Sequence, residues 1–284
     1  MIHEDSFLGE VTLIVKNIER SLDFYTETLG FQFSMIRPGE AVLFSNTETP
    51  LLILKEDKQA IEVPPNTYLG LYHFALLYPD RQSLGAQLKK LLELNVRIGG
   101  ADHSVSEAIY LNDPDGNGIE LYRDRPRTEW QYDQDNHVYM DTKALDIEGL
   151  LLEATEWKGL PDGVKMGHIH FHVDNLDQIE HFYKDILGFS VMTYFGRQAL
   201  FMAAGGYHHH FGFNTWASKD IQQPKPAVGL ELFTLNIPDE RSFQELKERL
   251  ERHQQEIIKH SNHSFSLVDP SFNRMKIKLV ESKA

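Results

Sequence analysis

Apolar and polar positions along the chain alternate with two different periods. Short apolar runs such as VTLIV at 11–15 and HFALL at 73–77 have the length and composition of strands. A polar turn follows each run and leads into apolar residues at helical spacing, as at Leu22, Tyr25 and Leu29. Further short apolar runs separated by Gly and Asn come next. The pattern predicts a unit of one strand, one helix and about three strands.

This unit occurs four times. Residues 9–31 and 167–189 match at a constant offset of 158, and residues 70–91 and 229–250 match at an offset of 159. Internal similarity at a fixed offset indicates repeated structural units. The chain is therefore predicted to contain four βαβββ modules, two in each half of the sequence.

The predicted domain boundaries follow from these repeats. The N-terminal half, 1–123, holds modules 1 and 2, and the C-terminal half, 166–284, holds modules 3 and 4. Residues 124–165 match no other segment and begin with the charged, proline-containing stretch DRPRTEWQYDQDN, which is typical of a linker. A short helix is predicted within this linker around Ile147–Ala154.

Composition narrows the possible chemistry. The chain has no cysteine, so a metal would be held by nitrogen and oxygen ligands, for which the 14 histidines are candidates. Lys+Arg is 28 and Asp+Glu is 42, a formal net charge of −14, and we therefore expect neither nucleic acid nor a membrane surface as a partner. The acidic, polar start of the sequence is unlike a signal peptide, and we expect a cytoplasmic protein.

The motifs resemble a known family. The strand bearing His73, the segment SLDFYTETLGF and the segment DPDGNGIELY are similar to those of the vicinal oxygen chelate superfamily, which includes glyoxalase I, bleomycin-resistance proteins and extradiol ring-cleaving dioxygenases. Tyr110 and the stretch GGYHHHFGFNTW most resemble the catechol 2,3-dioxygenase-like branch. The resemblance implies an α+β fold in which four βαβββ modules form two glyoxalase-like domains.

The resemblance also implies where a metal would bind. In this superfamily two modules form a cup around one metal, with ligands from their first and last strands. The first-strand positions of the four modules hold Glu10, His73, His168 and Leu232. The last-strand positions hold Leu51, Glu120, His209 and Lys276. Only the pairing of modules 2 and 3 collects all the good ligands, whereas many extradiol enzymes use their last two modules.

The predicted ligands are His73, Glu120 and His168. Two imidazoles and one carboxylate suit iron(II) and leave open positions for substrate and O2. Iron(II) is therefore the expected cofactor, although Mn, Ni or Zn could bind the same groups.

The same resemblance assigns the remaining site residues. The constant offset places His209 on the last strand of module 3, where it would transfer protons, and Tyr110 would orient the substrate. His103, His208, His210 and Phe211 are predicted to contact substrate. A slip of one residue in the offset would bring His208 or His210 into the site instead of His209.

The sequence therefore predicts an extradiol dioxygenase that uses O2 to cleave a catechol in aromatic catabolism. A metal-dependent glyoxalase-like isomerase or lyase is one alternative. The resemblance implies that glyoxalase I has a carboxylate residue at the position of His209, so the histidine favours ring cleavage over isomerisation. A protein that binds an aromatic ligand without reaction is the other alternative. An oligomer is possible, since a cup formed within one chain neither requires nor excludes one.

Overall fold

The computed structural model describes residues 1–64, 67–217 and 226–280. In the first half of the chain each module consists of one strand, a short helical segment and three further strands, as predicted. Their bounds are β1 (Phe7–Val15), α1 (Ile18–Asp23), β2 (Gln32–Arg37), β3 (Glu40–Phe44), β4 (Pro50–Glu56), β5 (Gly70–Leu77), α2 (Arg81–Glu93), β6 (Gly99–Asp102), β7 (Ser106–Asn112) and β8 (Gly118–Asp124).

The second half repeats this order after the linker, in which α3 (Ile147–Glu153) forms where a short helix was predicted. The remaining elements are β9 (Lys165–His172), α4 (Leu176–Glu180), β10 (Ser190–Phe195), β11 (Ala199–Ala203), β12 (Phe211–Asn214), β13 (Gly229–Ile237), α5 (Glu240–Arg252), β14 (Ile258–Ser261), β15 (Ser264–Val268) and β16 (Arg274–Leu279). The α+β class and the four βαβββ modules are thus confirmed.

Local sequence explains why the helices begin and end where they do. An Asn or Asp side chain caps the helix of every module by accepting a backbone N–H three residues later, as Asn17 does from Arg20 and Asp239 from Ser242. α1 and α4 each continue into a π-helical turn, at Phe24–Thr28 and His181–Ile186. Gly30 and Gly188 then adopt φ of 81° and 90°, a left-handed conformation that ends the helical segment.

The sheets combine modules from different halves of the chain. One eight-stranded sheet has the order β14-β15-β16-β13-β1-β4-β3-β2, so it joins modules 1 and 4. The other has the order β10-β11-β12-β9-β5-β8-β7-β6 and joins modules 2 and 3. We call these the 1+4 sheet and the 2+3 sheet. The division into 1–123, 124–165 and 166–284 describes the sequence repeat, and as a division into domains it stays a prediction.

Two buried hydrogen bonds connect the sheets to each other. The Tyr25 hydroxyl, after the helix of module 1, donates to Asp113 Oδ2 in module 2 at 2.9 Å. The Tyr183 hydroxyl of module 3 makes the matching bond to Asp269 Oδ2 in module 4 at 3.1 Å. Both carboxylates also accept backbone N–H groups of their own turns, so these acidic turns are structural. Among the described residues, no helix is long and apolar enough to cross a membrane.

Candidate metal centre and adjoining cavity

The 2+3 sheet brings His73, Glu120 and His168 together at its centre. β5 lies between β8, which is parallel to it, and β9, which is antiparallel. Ala75 on β5 is paired with Glu120 on one side and with His168 on the other. His73 precedes Ala75 by two residues and shares its face of the sheet, since successive side chains alternate between faces. The ring of His73 therefore lies beside the two cross-strand neighbours of Ala75.

The three donor atoms of these side chains form a compact triangle. Glu120 Oε2 lies 3.0 Å from His73 Nε2 and 3.0 Å from His168 Nε2. The two Nε2 atoms lie 3.3 Å apart. Donor atoms that bind a metal at right angles with bonds of about 2.1 Å lie about 3.0 Å apart. The residues therefore fit one shared metal ion, which requires three donors on one side and open positions on the other.

Burial and neighbouring charges favour the metal-binding forms of Glu120 and His73. Burial alone would raise the pKa of Glu120, but the neighbouring His168 and His73 hold the pKa of this carboxyl well below its usual range. Burial lowers the pKa of His73 despite its hydrogen bond to Glu120. An ionised carboxylate and a neutral imidazole are the forms that ligate a metal. His168 Nδ1 is buried without a hydrogen-bond partner among the described residues, so the triangle and the surrounding packing orient this ring.

A cavity of about 390 Å³ opens beside the triangle. Aromatic rings and apolar side chains form much of its wall, and the linker contributes Met140, Asp141 and Thr142. The residues that line it are Tyr72, His73, Gly100, Ala101, His103, Val105, Ser106, Tyr110, Glu120, Met140, Asp141, Thr142, His170, Phe195, Phe201, His209 and Trp216. Its size and its mostly apolar surface suit a small aromatic ligand.

Tyr110 and His103 form a hydrogen-bonded pair in this wall. Tyr110 on β7 is the cross-strand partner of Glu120 on β8, which is the structural meaning of their ten-residue spacing. His103 Nδ1 donates to the carbonyl oxygen of Asp141 at 2.7 Å, so its Nε2 accepts the Tyr110 hydroxyl at 2.7 Å. Burial, followed by the charge of Glu120, raises the pKa of Tyr110 well above its usual range. Tyr110 therefore stays protonated at neutral pH.

The three consecutive histidines take three different positions. The prediction that they lie on the last strand of module 3 is wrong, because β12 begins only at Phe211 and these residues belong to the loop before it. Sequence similarity could not reveal this, since Leu51, at the matching position of module 1, does lie on a strand. Among the three, His209 lines the cavity, with its ring centre 4.1 Å from that of His168.

His208 and His210 lie outside the cavity wall. His208 is fully buried and lies against the rings of Tyr207 and Trp130. His210 Nδ1 accepts the backbone N–H of Ala204, and burial lowers the pKa of His210 to about 3. Burial, reinforced by His168, also lowers the pKa of His209 well below its usual range, so this imidazole is neutral at pH 7.

Phe211 is also placed away from the cavity. Its ring is fully buried and packs against Tyr183 and Phe189, with centroid distances of 4.9 Å and 5.1 Å. Of the predicted site residues, the structure therefore brings His73, Glu120, His168, Tyr110, His103 and His209 together. It does not bring His208, His210 or Phe211 to the cavity.

Tyr72 and the linker residues of the cavity wall were not predicted from the sequence. Tyr72 precedes His73 at an irregularity of the β5–β9 pairing, and both residues line the cavity. A break in strand alternation of this kind is not visible in a single sequence. His170 shares a strand with His168, but Asn214 Nδ2 donates to its Nε2 at 3.0 Å, so this nitrogen is already engaged. Met140, Asp141 and Thr142 gave no signal because the linker lacks any repeat partner.

Comparison with known proteins identifies the relatives of this chain. The model of the glyoxalase/bleomycin resistance protein/dioxygenase superfamily matches residues 7–121 and 165–265. A protein of Bacillus subtilis (strain 168) named catechol-2,3-dioxygenase is 44% identical over 274 residues, which covers 95% of each chain.

Solved structures with the same fold have diverged much further in sequence. A protein of Bacillus subtilis subsp. subtilis str. 168 has a TM-score of 0.65 at 14% identity and covers 96% of this chain and 84% of its own. Glyoxalase I from Zea mays has a TM-score of 0.57 at 13% identity and covers 96% of this chain and 92% of its own. At such identities the likeness concerns the fold alone.

Proposed function

Because the chain belongs to the glyoxalase/bleomycin resistance protein/dioxygenase superfamily, we propose that it is an extradiol dioxygenase that cleaves a catechol ring with O2. The relative that is 44% identical over 95% of the chain carries the name catechol-2,3-dioxygenase, and this supports the assignment. The observation that carries the proposal is the triangle of His73, Glu120 and His168 beside an aromatic-lined cavity.

The metal is proposed to be iron(II), held by His73, Glu120 and His168. When bound, iron(II) provides sites for both substrate oxygens and for O2 and a path for electrons between them. The single carboxylate offsets part of the charge of the ion, and the two imidazoles complete the ligand set. Manganese, nickel and zinc accept the same donors, so the choice of iron rests on the proposed reaction.

The reaction combines one catechol with one O2. The ring bond between a hydroxyl-bearing carbon and its neighbour without a hydroxyl breaks, and both atoms of O2 enter the product. The catechol is oxidised and O2 is reduced. One end of the opened ring becomes a carboxylic acid and the other an aldehyde, so no further oxidant or reductant is needed.

Tyr110 is proposed to orient the catechol. Its hydroxyl proton is engaged by His103, so its oxygen presents lone pairs to the cavity and can accept a hydrogen bond from a substrate hydroxyl. His103 is in turn held by the Asp141 carbonyl of the linker. The linker therefore takes part in placing the substrate.

His209 is proposed as the group that accepts and returns a proton. It is neutral at pH 7 because burial disfavours its charged form, and a neutral imidazole can take the proton of a catechol hydroxyl. Tyr72, Phe201 and Trp216 line the same cavity and would contact the faces and edges of the substrate ring. The cytoplasmic location expected from the sequence stays a prediction.

The test is oxygen consumption by protein loaded with iron(II) under anaerobic conditions and then exposed to O2 and a panel of catechols. We expect one O2 to be consumed for each catechol and the absorbance of a ring-opened product to appear. Glu120→Gln, which removes the carboxylate while preserving its volume, should be inactive. Lack of O2 uptake by fully loaded wild-type protein with every catechol would contradict the proposal. Isomerisation of a 2-oxoaldehyde thiol adduct without O2 would favour the glyoxalase-like alternative.

A further inference from the structure

A chain of hydrogen bonds leads from Asp124 through His208 to His209. His208 Nε2 lies 2.9 Å from Asp124 Oδ1, and His208 Nδ1 lies 2.7 Å from His209 Nδ1. We propose that Asp124 and His208 are positioning residues that fix the tautomer of His209, with the proton on Nδ1 and the lone pair of Nε2 available to the substrate. This inference rests on the proposed function, in which His209 transfers the proton.

The direction of the bonds follows from the first acceptor. An ionised carboxylate can only accept, so the proton between Asp124 and His208 belongs to His208 Nε2. With its one ring proton on Nε2, His208 has a lone pair on Nδ1, so the proton in the 2.7 Å contact between the two Nδ1 atoms is assigned to His209. Since His209 Nδ1 is then a donor, its Nε2 is the basic nitrogen. No described residue forms a hydrogen bond with that Nε2, and the ring lines the cavity.

The surroundings of His208 leave it few other partners. Its ring is fully buried, with the ring centres of Tyr207 at 4.1 Å and of Trp130 at 5.4 Å. Tyr207 donates its own hydroxyl to Asp124 Oδ1 at 3.2 Å, which adds a second donor to the same carboxylate oxygen. A buried ring enclosed in this way cannot exchange its protein partners for water without cost. The enclosure therefore holds the hydrogen-bond chain in one arrangement.

Strand β8 links these hydrogen bonds to the triangle of His73, Glu120 and His168. Asp124 is four residues after Glu120, so both side chains project from the same face of β8. The same strand thus carries the proposed metal ligand Glu120 and also Asp124, which positions His209 through His208. Carboxylates that fix the tautomer of a metal-ligating imidazole are common in proteins, and their loss typically costs about 10–100-fold in metal affinity or activity; we expect an effect of the same size here.

Asp124→Asn is the informative substitution. The side-chain amide of asparagine can donate to His208 Nε2, which would move the proton of His208 to Nδ1. His209 Nδ1 would then accept, and its proton would sit on Nε2, where it blocks the base. Asp185→Asn is the matched control, because Asp185 forms an exposed 2.8 Å pair with His181 away from the cavity.

The tautomers can be read from ring ¹⁵N chemical shifts in long-range ¹H–¹⁵N spectra of zinc-loaded protein, since zinc is diamagnetic. His208→Phe and His209→Gln would assign the signals. In the wild type we expect a protonated Nδ1 and an unprotonated Nε2 for His209. Asp124→Asn should exchange these two signals, and Asp185→Asn should not. With iron, Asp124→Asn should lower kcat by about 10–100-fold and leave KM and iron content within about threefold of wild type.

Two results would overturn the proposal. One is a doubly protonated His208 in the wild type, and the other is an unchanged His209 tautomer in folded Asp124→Asn. If Asp124→Asn does not fold, His208→Phe preserves the ring volume and should turn His209 into a mixture of tautomers, whereas a single unchanged tautomer would count against the proposal. These spectra need no turnover, so a missing dioxygenase activity would be recognised separately.

Discussion

His73 and His168 place their Nε2 atoms 3.3 Å apart although one belongs to module 2 and the other to module 3. The contact exists because β5 and β9 are neighbours in the 2+3 sheet. Both nitrogens also lie 3.0 Å from the same oxygen of Glu120. A metal held here is therefore bound by both halves of the chain.

His73→Ala is expected to abolish tight iron binding, because two remaining ligands cannot hold the ion on one side. The apparent affinity should fall about 100-fold or more, measured by competition with a coloured chelator and by metal analysis. Glu10→Gln is the matched control, since Glu10 holds the corresponding first-strand position of module 1 and lies in the 1+4 sheet. Equal iron contents in the two variants would contradict the assignment.

Tyr110→Phe is expected to lower kcat with catechol by about tenfold, because the substrate hydroxyl loses one hydrogen bond worth about 1–1.5 kcal/mol. Iron content should not change, since the Tyr110 hydroxyl bonds to His103 and is not one of the three proposed ligands. Steady-state oxygen uptake and metal analysis measure the two effects. Tyr78→Phe is the control, because its hydroxyl bonds to buried Gln87, away from the cavity. A similar loss of kcat in both variants would show that the effect is structural.

Tyr25→Phe is expected to lower the free energy of unfolding by about 1–3 kcal/mol, because it leaves the buried carboxylate of Asp113 without one of its donors. Tyr183→Phe should act similarly through Asp269. Urea denaturation followed by circular dichroism measures the change. Tyr194→Phe removes an exposed hydroxyl bond to Glu180 and should cost less than about 0.5 kcal/mol. Equal losses of unfolding free energy in all three variants would show that burial does not strengthen the contributions of the Tyr25 and Tyr183 hydrogen bonds.

Asp269 should give the protein an unusual dependence of stability on pH. Burial raises the pKa of Asp269 from 3.8 to about 6, despite its hydrogen bonds to Asn273 and Tyr183. Between these two values the native state binds a proton that the unfolded state releases, so this group makes the protein less stable as pH rises from 4 to 6.

Asp269→Asn removes that titration. The free energy of unfolding of the wild type minus that of the variant should be about 1–3 kcal/mol greater near about pH 4 than near about pH 7. Denaturant titrations of both proteins across this range measure it. A difference that stays constant or grows with pH would contradict the raised pKa.

The sequence predicted the architecture well because the repeat is strong. The shared glycines, the helical spacing of Leu22 and Tyr25 and the DPDGNGIELY turn identify modules without any alignment. The pairing of modules 2 and 3 was also predicted, because it alone collects His73, Glu120, His168 and His209 in one cup and leaves Leu51, Leu232 and Lys276 to modules 1 and 4. The structure confirms this pairing in its second sheet.

The cavity wall was harder to predict for physical reasons. An offset between repeats cannot show where a strand starts, so His208, His209 and His210 were placed on a strand that begins one residue later, at Phe211. The aromatic side chain of Phe211 is of a type that could contact a substrate ring, but it faces the core. Its direction depends on the register of β12 against β9, which the sequence does not reveal. Asp141 depends on the path of the linker, which has no periodic pattern to read.

The order of the sheets gives the chain a nested architecture. Modules 2 and 3 follow each other in the sequence and share one sheet, so every residue from Gly70 to Asn214 that forms a strand belongs to the 2+3 sheet. Modules 1 and 4 enclose this stretch from both ends and meet through β1 and β13. The first and last modules of the sequence therefore pair with each other, and the continuous segment between them forms the sheet that holds the proposed metal site.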